Sequence, residues 1–228
     1  MISGTIQKNN SIYNSIIAGY AEAGYELDYE FDGYYVVGTF VFTSKSIGVG
    51  DKILSVNGVE LTPEYSFDDA CSASRSPKLT LSIIKYQEDR PKEIEVEVGT
   101  YQLEGKTYYS FGINTEVTYI PSNTENCPKF NVLWNKINSI GGSGGLLQSF
   151  YIYESLTGGK LSDGLTIAGT GTIDNNGSVG QIDGVEYKLK AAVKEKADIF
   201  LVPNEENYKD AIKLKKQEKY DITIIGVD

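Results

Sequence analysis

The second half of the chain alternates between helix-like and strand-like segments, and this alternation is the strongest constraint on its fold. Apolar residues recur at helical spacing in some segments and form short continuous runs in others. The predicted helices cover residues 146–156, 186–196 and 205–218, and the predicted strands cover 166–173, 197–203 and 222–227. Such alternation is typical of an α/β layer domain, in which helices pack against a sheet.

The first half predicts a smaller, β-rich module. Ser66 is a suitable N-cap for a short helix over residues 66–74, and Asp68 and Asp69 in its first turn favour that helix. The polar, proline-containing stretch 87–92 is typical of a domain edge. The other predicted elements of this half are a helix over 11–24 and strands over 34–42, 52–56 and 79–86. We therefore divide the chain into an N-terminal lead-in helix at 1–24, a β-rich domain at 25–88 and an α/β domain at 89–228.

The absence of histidine excludes the commonest hydrolytic sites. A Ser-His-Asp triad, a Cys-His pair and any imidazole-dependent metal site are impossible, so we expect no metal and no cofactor. A hydrolase of this composition must use Lys, Asp, Glu, Tyr or an amine as its base. Cys71 and Cys127 cannot form a zinc cluster, and the sequence leaves open whether they pair or stay as thiols.

Charge and hydropathy limit the kinds of partner that we expect for this chain. The net charge of −10 disfavours nucleic acid, because phosphate binding needs a concentrated basic surface. No stretch reaches the roughly 18 consecutive apolar residues of a membrane span, and no signal peptide begins the sequence. We expect a soluble protein that is cytoplasmic by default. The alternative is the extracytoplasmic face of a membrane, if an N-terminal anchor is missing.

Gly105-Lys106-Thr107 is similar to the end of a phosphate-binding loop, but its context is wrong. That motif requires a glycine at position 100, where this chain has Thr100. The flanking residues are strand-like, and no apolar helix follows. The sequence therefore predicts no nucleotide site and no built-in ATPase.

The glycine-rich stretch Gly141-Gly142-Ser143-Gly144-Gly145 leads directly into a predicted helix. It supports two interpretations: a flexible loop in which Ser143 is a helix N-cap, or a sharp turn that exposes Ser143 as a nucleophile. At a helix N-terminus, unpaired N–H groups and the helix dipole stabilise a developing oxyanion. Lys188 lies near the start of a later helix, where burial and the dipole would both favour the neutral amine that a base needs.

Taken together, these segments resemble the proteolytic domain of the Lon protease family. The loop Gly141–Gly145 matches the family's G-P-S-A-G nucleophile loop, and Ala168-Gly169-Thr170-Gly171 matches its A-x-T-G strand. Residues 177–188 match its G-x-V-x-x-I-G-G-I-x-x-K segment, and 197–203 match the strand that follows. The resemblance covers roughly residues 90–228 and implies an α+β Lon-type protease domain.

The resemblance also implies roles for individual residues. Ser143 would be the nucleophile, Lys188 its general base, and Thr170 the hydroxyl that holds the lysine amine. Backbone amides of the loop around Gly142 and Gly144 would form the oxyanion hole. These glycines replace the family's proline and alanine, which makes the loop costlier to order. Asp183 replaces a glycine, and its carboxylate would raise the pKa of Lys188 and oppose its use as a base.

The first half is similar to bacterial PDZ domains. Residues 48–58 match the family's V-G-D-x-I-x-x-V-N-G core, since Gly48 is followed by VGDKILSVNG. That resemblance implies a peptide C-terminus that adds as a strand beside the short helix. A loop that contains Gly33, Tyr34 and Tyr35 falls where the family binds the terminal carboxylate. The alternative interpretation is a rigid spacer or gate over the protease.

A PDZ-like domain followed by an ATPase-free Lon-type domain resembles a bacterial family of Lon-like serine proteases. This resemblance implies an ATP-independent serine endopeptidase with a Ser-Lys dyad, acting on peptides or exposed protein segments, and a homo-oligomeric ring. A competing hypothesis is a catalytically inactive PDZ peptide-binding scaffold with a degenerate protease domain.

Overall fold

The computed structural model describes residues 2–74, 76–122, 141–159 and 161–228. It is a mixed α/β structure with several sheets. The chain divides into two compact units, one formed by Met1–Gln7 with Phe31–Ile120 and the other by Lys8–Glu30 with Pro121–Asp228. In the described part of the chain, no helix is both long enough and apolar enough to cross a membrane.

The first unit is built on an antiparallel sheet. Its strands follow the order β5-β4-β2-β1-β8, with β3 paired to β2, and a separate hairpin joins β6 and β7. Helix α2 (Phe67–Ala73) lies between β3 and β4. The strands are β1 (Tyr29–Thr39), β2 (Lys52–Val56), β3 (Val59–Glu60), β4 (Lys78–Ile84), β5 (Pro91–Glu97), β6 (Gly99–Leu103), β7 (Lys106–Ser110) and β8 (Ile113–Pro121).

Local sequence explains much of this unit. Strand β4 alternates, and its Leu79, Leu81 and Ile83 all point into the core. The predicted cap of α2 is confirmed, since the hydroxyl of Ser66 accepts a hydrogen bond from the N–H of Asp69. The Asp69 carboxylate in turn accepts from the N–H of Ser66, which completes a capping box.

The division of the chain differs from the one that the sequence suggested. Strand β5 pairs with β4 along its whole length, so residues on both sides of the expected boundary at 88/89 belong to one sheet. The polar stretch 87–92 forms the turn of a hairpin and the first two residues of β5, with Gln87 at a positive φ of 65°. Tight hairpin turns and linkers share the same polar composition, and this explains the difference.

The second unit contains a parallel sheet flanked by helices. The order of the sheet is β13-β12-β9, and a short antiparallel pair joins β10 and β11. Its core lies between this sheet and helices α4 and α5, around Leu189, Phe200 and Val202. The elements are α3 (Gly145–Thr157), β9 (Ile167–Gly169), β10 (Thr172–Ile173), β11 (Val179–Gly180), α4 (Val185–Lys194), β12 (Ile199–Pro203), α5 (Glu206–Glu218) and β13 (Thr223–Val227).

The N-terminal helix is longer than predicted and belongs mainly to the second unit. Helix α1 runs from Ile2 to Glu22, and from Lys8 onward it clusters with α3. A side chain at Gly19 would place its Cβ 2.8 Å from Ile152 of α3, so the two helices approach closely there. The predicted lead-in helix is therefore an integral part of this unit.

The structure describes only one of the two cysteines. Cys71 is half-buried on α2, and burial raises the pKa of its thiol to about 12. Cys127 lies outside the described residues.

Candidate active site

The loop before α3 presents Ser143 without using it as a helix cap. Gly141 adopts a positive φ of 88°, which favours glycine, and the chain then turns into the helix. The N-cap of α3 is Gly144, and no side chain caps the helix there. Among the residues that the structure describes, none hydrogen-bonds the Ser143 hydroxyl, which is open to solvent. The N-cap interpretation of Ser143 is therefore wrong.

Thr170 joins the loop of Ser143 to Lys188. Its hydroxyl Oγ1 donates a 3.0 Å hydrogen bond to the backbone carbonyl of Ser143. The amine Nζ of Lys188 donates to the same Oγ1, also over 3.0 Å. The structure thus brings together the three residues predicted as catalytic, although it links Lys188 to Ser143 through Thr170 and not by a direct hydrogen bond between described atoms.

The direction of these hydrogen bonds determines what the lysine can do. The single proton of the Thr170 hydroxyl goes to the Ser143 carbonyl, so toward Lys188 this hydroxyl can only accept. Lys188 therefore uses one of its N–H groups on Thr170. In the neutral amine the lone pair is then left for another proton donor, such as a serine hydroxyl.

Two secondary-structure elements position this pair. Thr170 directly follows β9, and its N–H donates to the carbonyl of Leu201 on β12, so it lies at the end of the parallel sheet. Lys188 lies in the first turn of α4, on the side that carries the buried Val185 and Leu189. Lys190, on the same helix, is exposed. Of these two lysines, Lys188 is therefore the one directed toward the protein interior.

Burial makes Lys188 easier to deprotonate. Desolvation lowers the pKa of Lys188 below its ordinary value, and the nearby carboxylate of Asp183 opposes this shift with a smaller effect. Asp183 is itself exposed, where solvent screens its charge. The expected influence of Asp183 on the Lys188 pKa is therefore present, but burial outweighs it.

The backbone around Ser143 supplies unpaired donors. In the part of the chain that the structure describes, the N–H groups of Ser143 and Gly144 donate to no carbonyl or side chain. The N–H groups of Gly145 and Leu146 are already used, on the carbonyls of Gly142 and Gly171. The N–H groups that could donate hydrogen bonds to an oxyanion are thus those of Ser143 and Gly144. The carbonyl of Gly142 accepts the N–H of Gly145 within the loop.

The loop before Lys188 is held by a residue that the sequence did not suggest. The Asn207 side chain, in the first turn of α5, accepts from the N–H of Ile182 over 2.8 Å and donates to its carbonyl over 2.9 Å. The N–H of Asn207 also donates to the Gln181 side chain over 3.0 Å. The sequence did not predict this contact, because nothing distinguishes Asn207 from any other polar residue at the start of a helix. Its partners Gln181 and Ile182 lie 26 and 25 positions earlier in the chain.

The residues predicted to bind a peptide carboxylate lie elsewhere than expected. Gly33, Tyr34 and Tyr35 are part of β1, not of a loop, and β1 is flanked by β2 and β8. Tyr34 is buried and donates to the carbonyl of Thr62, while Tyr35 donates to Asp32. At Tyr34 and Tyr35, strand β2 already pairs with one edge of β1, so a peptide cannot add as a strand there. The expectation of a carboxylate loop at these residues is therefore not met.

The first unit instead has a pocket of about 650 Å3 beside α2. One wall consists of Phe67 and Cys71 of α2, and the other consists of residues 109–113 at the junction of β7 and β8. The pocket has a mixed apolar and polar lining, which suits a peptide segment better than a highly charged ligand.

Neither comparison with known proteins assigns the chain to a family. No protein-family model matches its sequence, and no curated protein matches it. The functional assignment of this site therefore depends on its geometry and on the motifs that its loops carry.

Proposed function

We propose that the second unit is an ATP-independent serine endopeptidase domain with Ser143 as nucleophile and Lys188 as general base. The observation that carries this proposal is the hydroxyl of Thr170, which contacts both the backbone of Ser143 and the amine of Lys188. A solvent-accessible serine at a helix N-terminus, unpaired N–H groups beside it and a lysine of lowered pKa are the components that Ser-Lys hydrolysis requires.

Acylation would start with neutral Lys188. Its Nζ removes the proton from Ser143 Oγ as that oxygen attacks the scissile carbonyl carbon. The carbonyl oxygen becomes an oxyanion, which the N–H groups of Ser143 and Gly144 stabilise. Lys188, now an ammonium, returns the proton to the departing amine, and the peptide bond breaks to leave an acyl ester on Ser143.

Deacylation would use the same groups in reverse. Lys188, neutral again, removes a proton from a water molecule as its oxygen attacks the ester carbon. The second oxyanion occupies the same pair of N–H groups. Its collapse breaks the ester bond, and the lysine proton returns to Ser143 Oγ while the carboxylic acid product leaves.

The substrate class follows from the charge and from the missing nucleotide site. With no phosphate-binding loop in the sequence, the protein would depend on substrates that are already unfolded or exposed. The net charge of −10 favours neutral or basic segments over acidic ones. A homo-oligomeric ring, with the first unit as a gate or a binding module, remains part of this proposal.

The decisive experiment compares the purified protein with matched variants on an unstructured protein substrate. We expect Ser143→Ala and Lys188→Ala to abolish cleavage. The controls are Ser178→Ala, in an exposed turn, and Lys190→Ala, exposed on the same helix as Lys188, and both should cleave normally. Unimpaired cleavage by either dyad variant contradicts the assignment, because no alternative base or nucleophile has been placed at this site.

A second candidate function is peptide binding by the first unit without turnover. The pocket between α2 and residues 109–113 favours it. This function predicts that an unstructured peptide binds the unmutated protein and Ser143→Ala with equal affinity, and that substitutions in the pocket weaken this binding. A protein that binds in this way but cleaves nothing would be a scaffold and not a peptidase.

A further inference from the structure

The N–H groups of Ser143 and Gly144, which have no partner among the described residues, belong to peptide units whose carbonyls are held in place. A trans peptide unit is planar, and its carbonyl points opposite to the N–H of the next residue. Whatever holds the carbonyl of Gly142 therefore also sets the direction of the Ser143 N–H. In the same way, whatever holds the carbonyl of Ser143 sets the direction of the Gly144 N–H.

Different parts of the unit hold the two carbonyls. The Ser143 carbonyl accepts from the hydroxyl of Thr170 and, over 2.9 Å, from the N–H of Gly171. The Gly142 carbonyl accepts from the hydroxyl of Ser11 over 3.1 Å and from the N–H of Gly145 over 3.2 Å. The N–H of Gly145 belongs to the same loop, so Ser11 is the external anchor of the first peptide unit.

Ser11 is well placed to be a rigid anchor. It lies on α1 and is only 4% exposed. Its hydroxyl also lies 3.3 Å from the side-chain amide of Gln148 on α3. Helix α1 is held against the same region by Asn14, whose side chain donates to the carbonyl of Ile173 over 3.0 Å, and by the close approach at Gly19.

We propose that Ser11 is a positioning residue for the oxyanion hole, acting through the carbonyl of Gly142 on the N–H of Ser143. This inference rests on the proposed peptidase function. Ser11 itself contacts no reacting atom, so its loss should weaken stabilisation of the transition state without changing the base. Helix α1 is then a functional part of the site and not only a lead-in to it.

The neighbouring Ser15 provides a matched control. Its hydroxyl, one turn further along α1, lies 2.5 Å from the backbone carbonyl of Ser11 and 3.0 Å from the carbonyl of Gly145. The N–H in that peptide unit belongs to Leu146 and already donates to the carbonyl of Gly171. Ser15 is completely buried, so Ser15→Ala should reduce stability at least as much as Ser11→Ala while leaving the Ser143 N–H undisturbed.

The test measures kcat, KM and the pH profile of peptide cleavage for the unmutated protein, Ser11→Ala and Ser15→Ala, with melting temperatures for all three. It also measures how fast a fluorophosphonate modifies Ser143, by intact mass. In that reaction Ser143 Oγ gives its proton to Lys188 and forms a bond to phosphorus, fluoride leaves, and the phosphoryl oxygen enters the oxyanion hole. We expect Ser11→Ala to lower kcat and the modification rate by about tenfold, the value of one hydrogen bond. KM and the midpoint of the pH profile should stay unchanged, and Ser15→Ala should keep the normal rates.

The outcomes separate this inference from the function on which it rests. If Ser11→Ala retains the normal kcat and modification rate, or if Ser15→Ala loses as much, the positioning role is rejected while the peptidase stands. If the unmutated protein is modified but cleaves nothing, the peptidase is rejected, and the modification rates still decide the role of Ser11. If it is neither modified nor active, both proposals are rejected.

Discussion

The side-chain amine of Lys188 lies 3.0 Å from the hydroxyl of Thr170, a residue that is only 2% exposed. That hydroxyl also donates to the carbonyl of Ser143, so one buried group links the helix of the lysine to the loop of the serine. A threonine at the end of a parallel strand is thus the geometric centre of the proposed site.

Replacing Thr170 with valine should disable the site without greatly changing its shape. The Ser143 carbonyl keeps its bond from the N–H of Gly171, but the Lys188 amine loses its acceptor. We expect kcat to fall roughly 100-fold, at the lower end of what a positioned general base contributes. Thr170→Ser keeps the hydroxyl and should recover most of the rate. Equal rates for the valine and serine variants would show that the hydroxyl is not needed.

The carboxylate of Asp183 should control the pH range of activity. Its charge raises the pKa of Lys188, against the larger lowering by burial. Asp183→Asn removes the raising effect, so the pKa of Lys188 falls and more of the amine is neutral at a given pH. The rising limb of the pH–rate profile should move to lower pH, and less so in high salt. Glu186→Gln, with the same charge change on α4, should not move it.

Lys188 should make the fold less stable at neutral pH than at alkaline pH. Because the folded protein holds this lysine at a lowered pKa, the unfolded chain binds its proton more tightly. The free energy of unfolding therefore rises as pH increases from the lowered pKa toward the ordinary value of 10.5. Urea denaturation measures the free energy of unfolding of Lys188→Met and of the unmutated protein at several pH values. The difference in favour of Lys188→Met should be largest near neutral pH and should shrink toward pH 10.5. The exposed Lys190→Met should show no such trend.

Two adjacent glycines of the loop should respond differently to alanine. A Cβ at Gly145 would lie 2.9 Å from the backbone nitrogen of Ile173, which cannot move away as a side chain can. At Gly144, where φ is −92°, a Cβ would meet only the flexible end of Gln148. We expect Gly145→Ala to lower the free energy of unfolding by about 1–3 kcal/mol, as overpacking does, and to reduce activity. Gly144→Ala should remain folded and active, and thermal denaturation of both variants checks this.

Local sequence patterns predicted helices and strands correctly where residues within the element determine its bounds. Strand β2 has the predicted bounds, Lys52–Val56, and the cap of α2 lies at Ser66. The predicted strand over 166–173 is interrupted at Thr170 and Gly171, where the N–H of Gly171 donates to the carbonyl of Ser143 and not to a neighbouring strand. That interruption is caused by neighbours distant in sequence, which no local pattern reports.

Long-range partners explain what the sequence did not predict. The contacts of α1 with the Ser143 loop join residues 131 positions apart, and small polar side chains such as Ser11 and Ser15 are equally typical of exposed helices. The sequence also did not predict that β8 pairs with β1, the strand that contains Gly33, Tyr34 and Tyr35, because nothing near these residues indicates such a distant partner. For the candidate site, the family resemblance implied that Thr170 holds the amine of Lys188, but not that the Thr170 hydroxyl also donates to the carbonyl of Ser143.

The separation between α1 and α3 also has a consequence for how the protein is made. Helix α1 precedes the segment Phe31–Ile120 in the chain, and the loop and helix on which α1 packs are synthesised only after that segment. That continuous segment can fold during translation, whereas the second unit must close a contact spanning 131 positions after its C-terminal half has emerged. We expect a fast folding phase for the first unit and a slower one for the second, so that a nascent chain brings Ser11 and Gly142 together only after the residues of α3 have emerged.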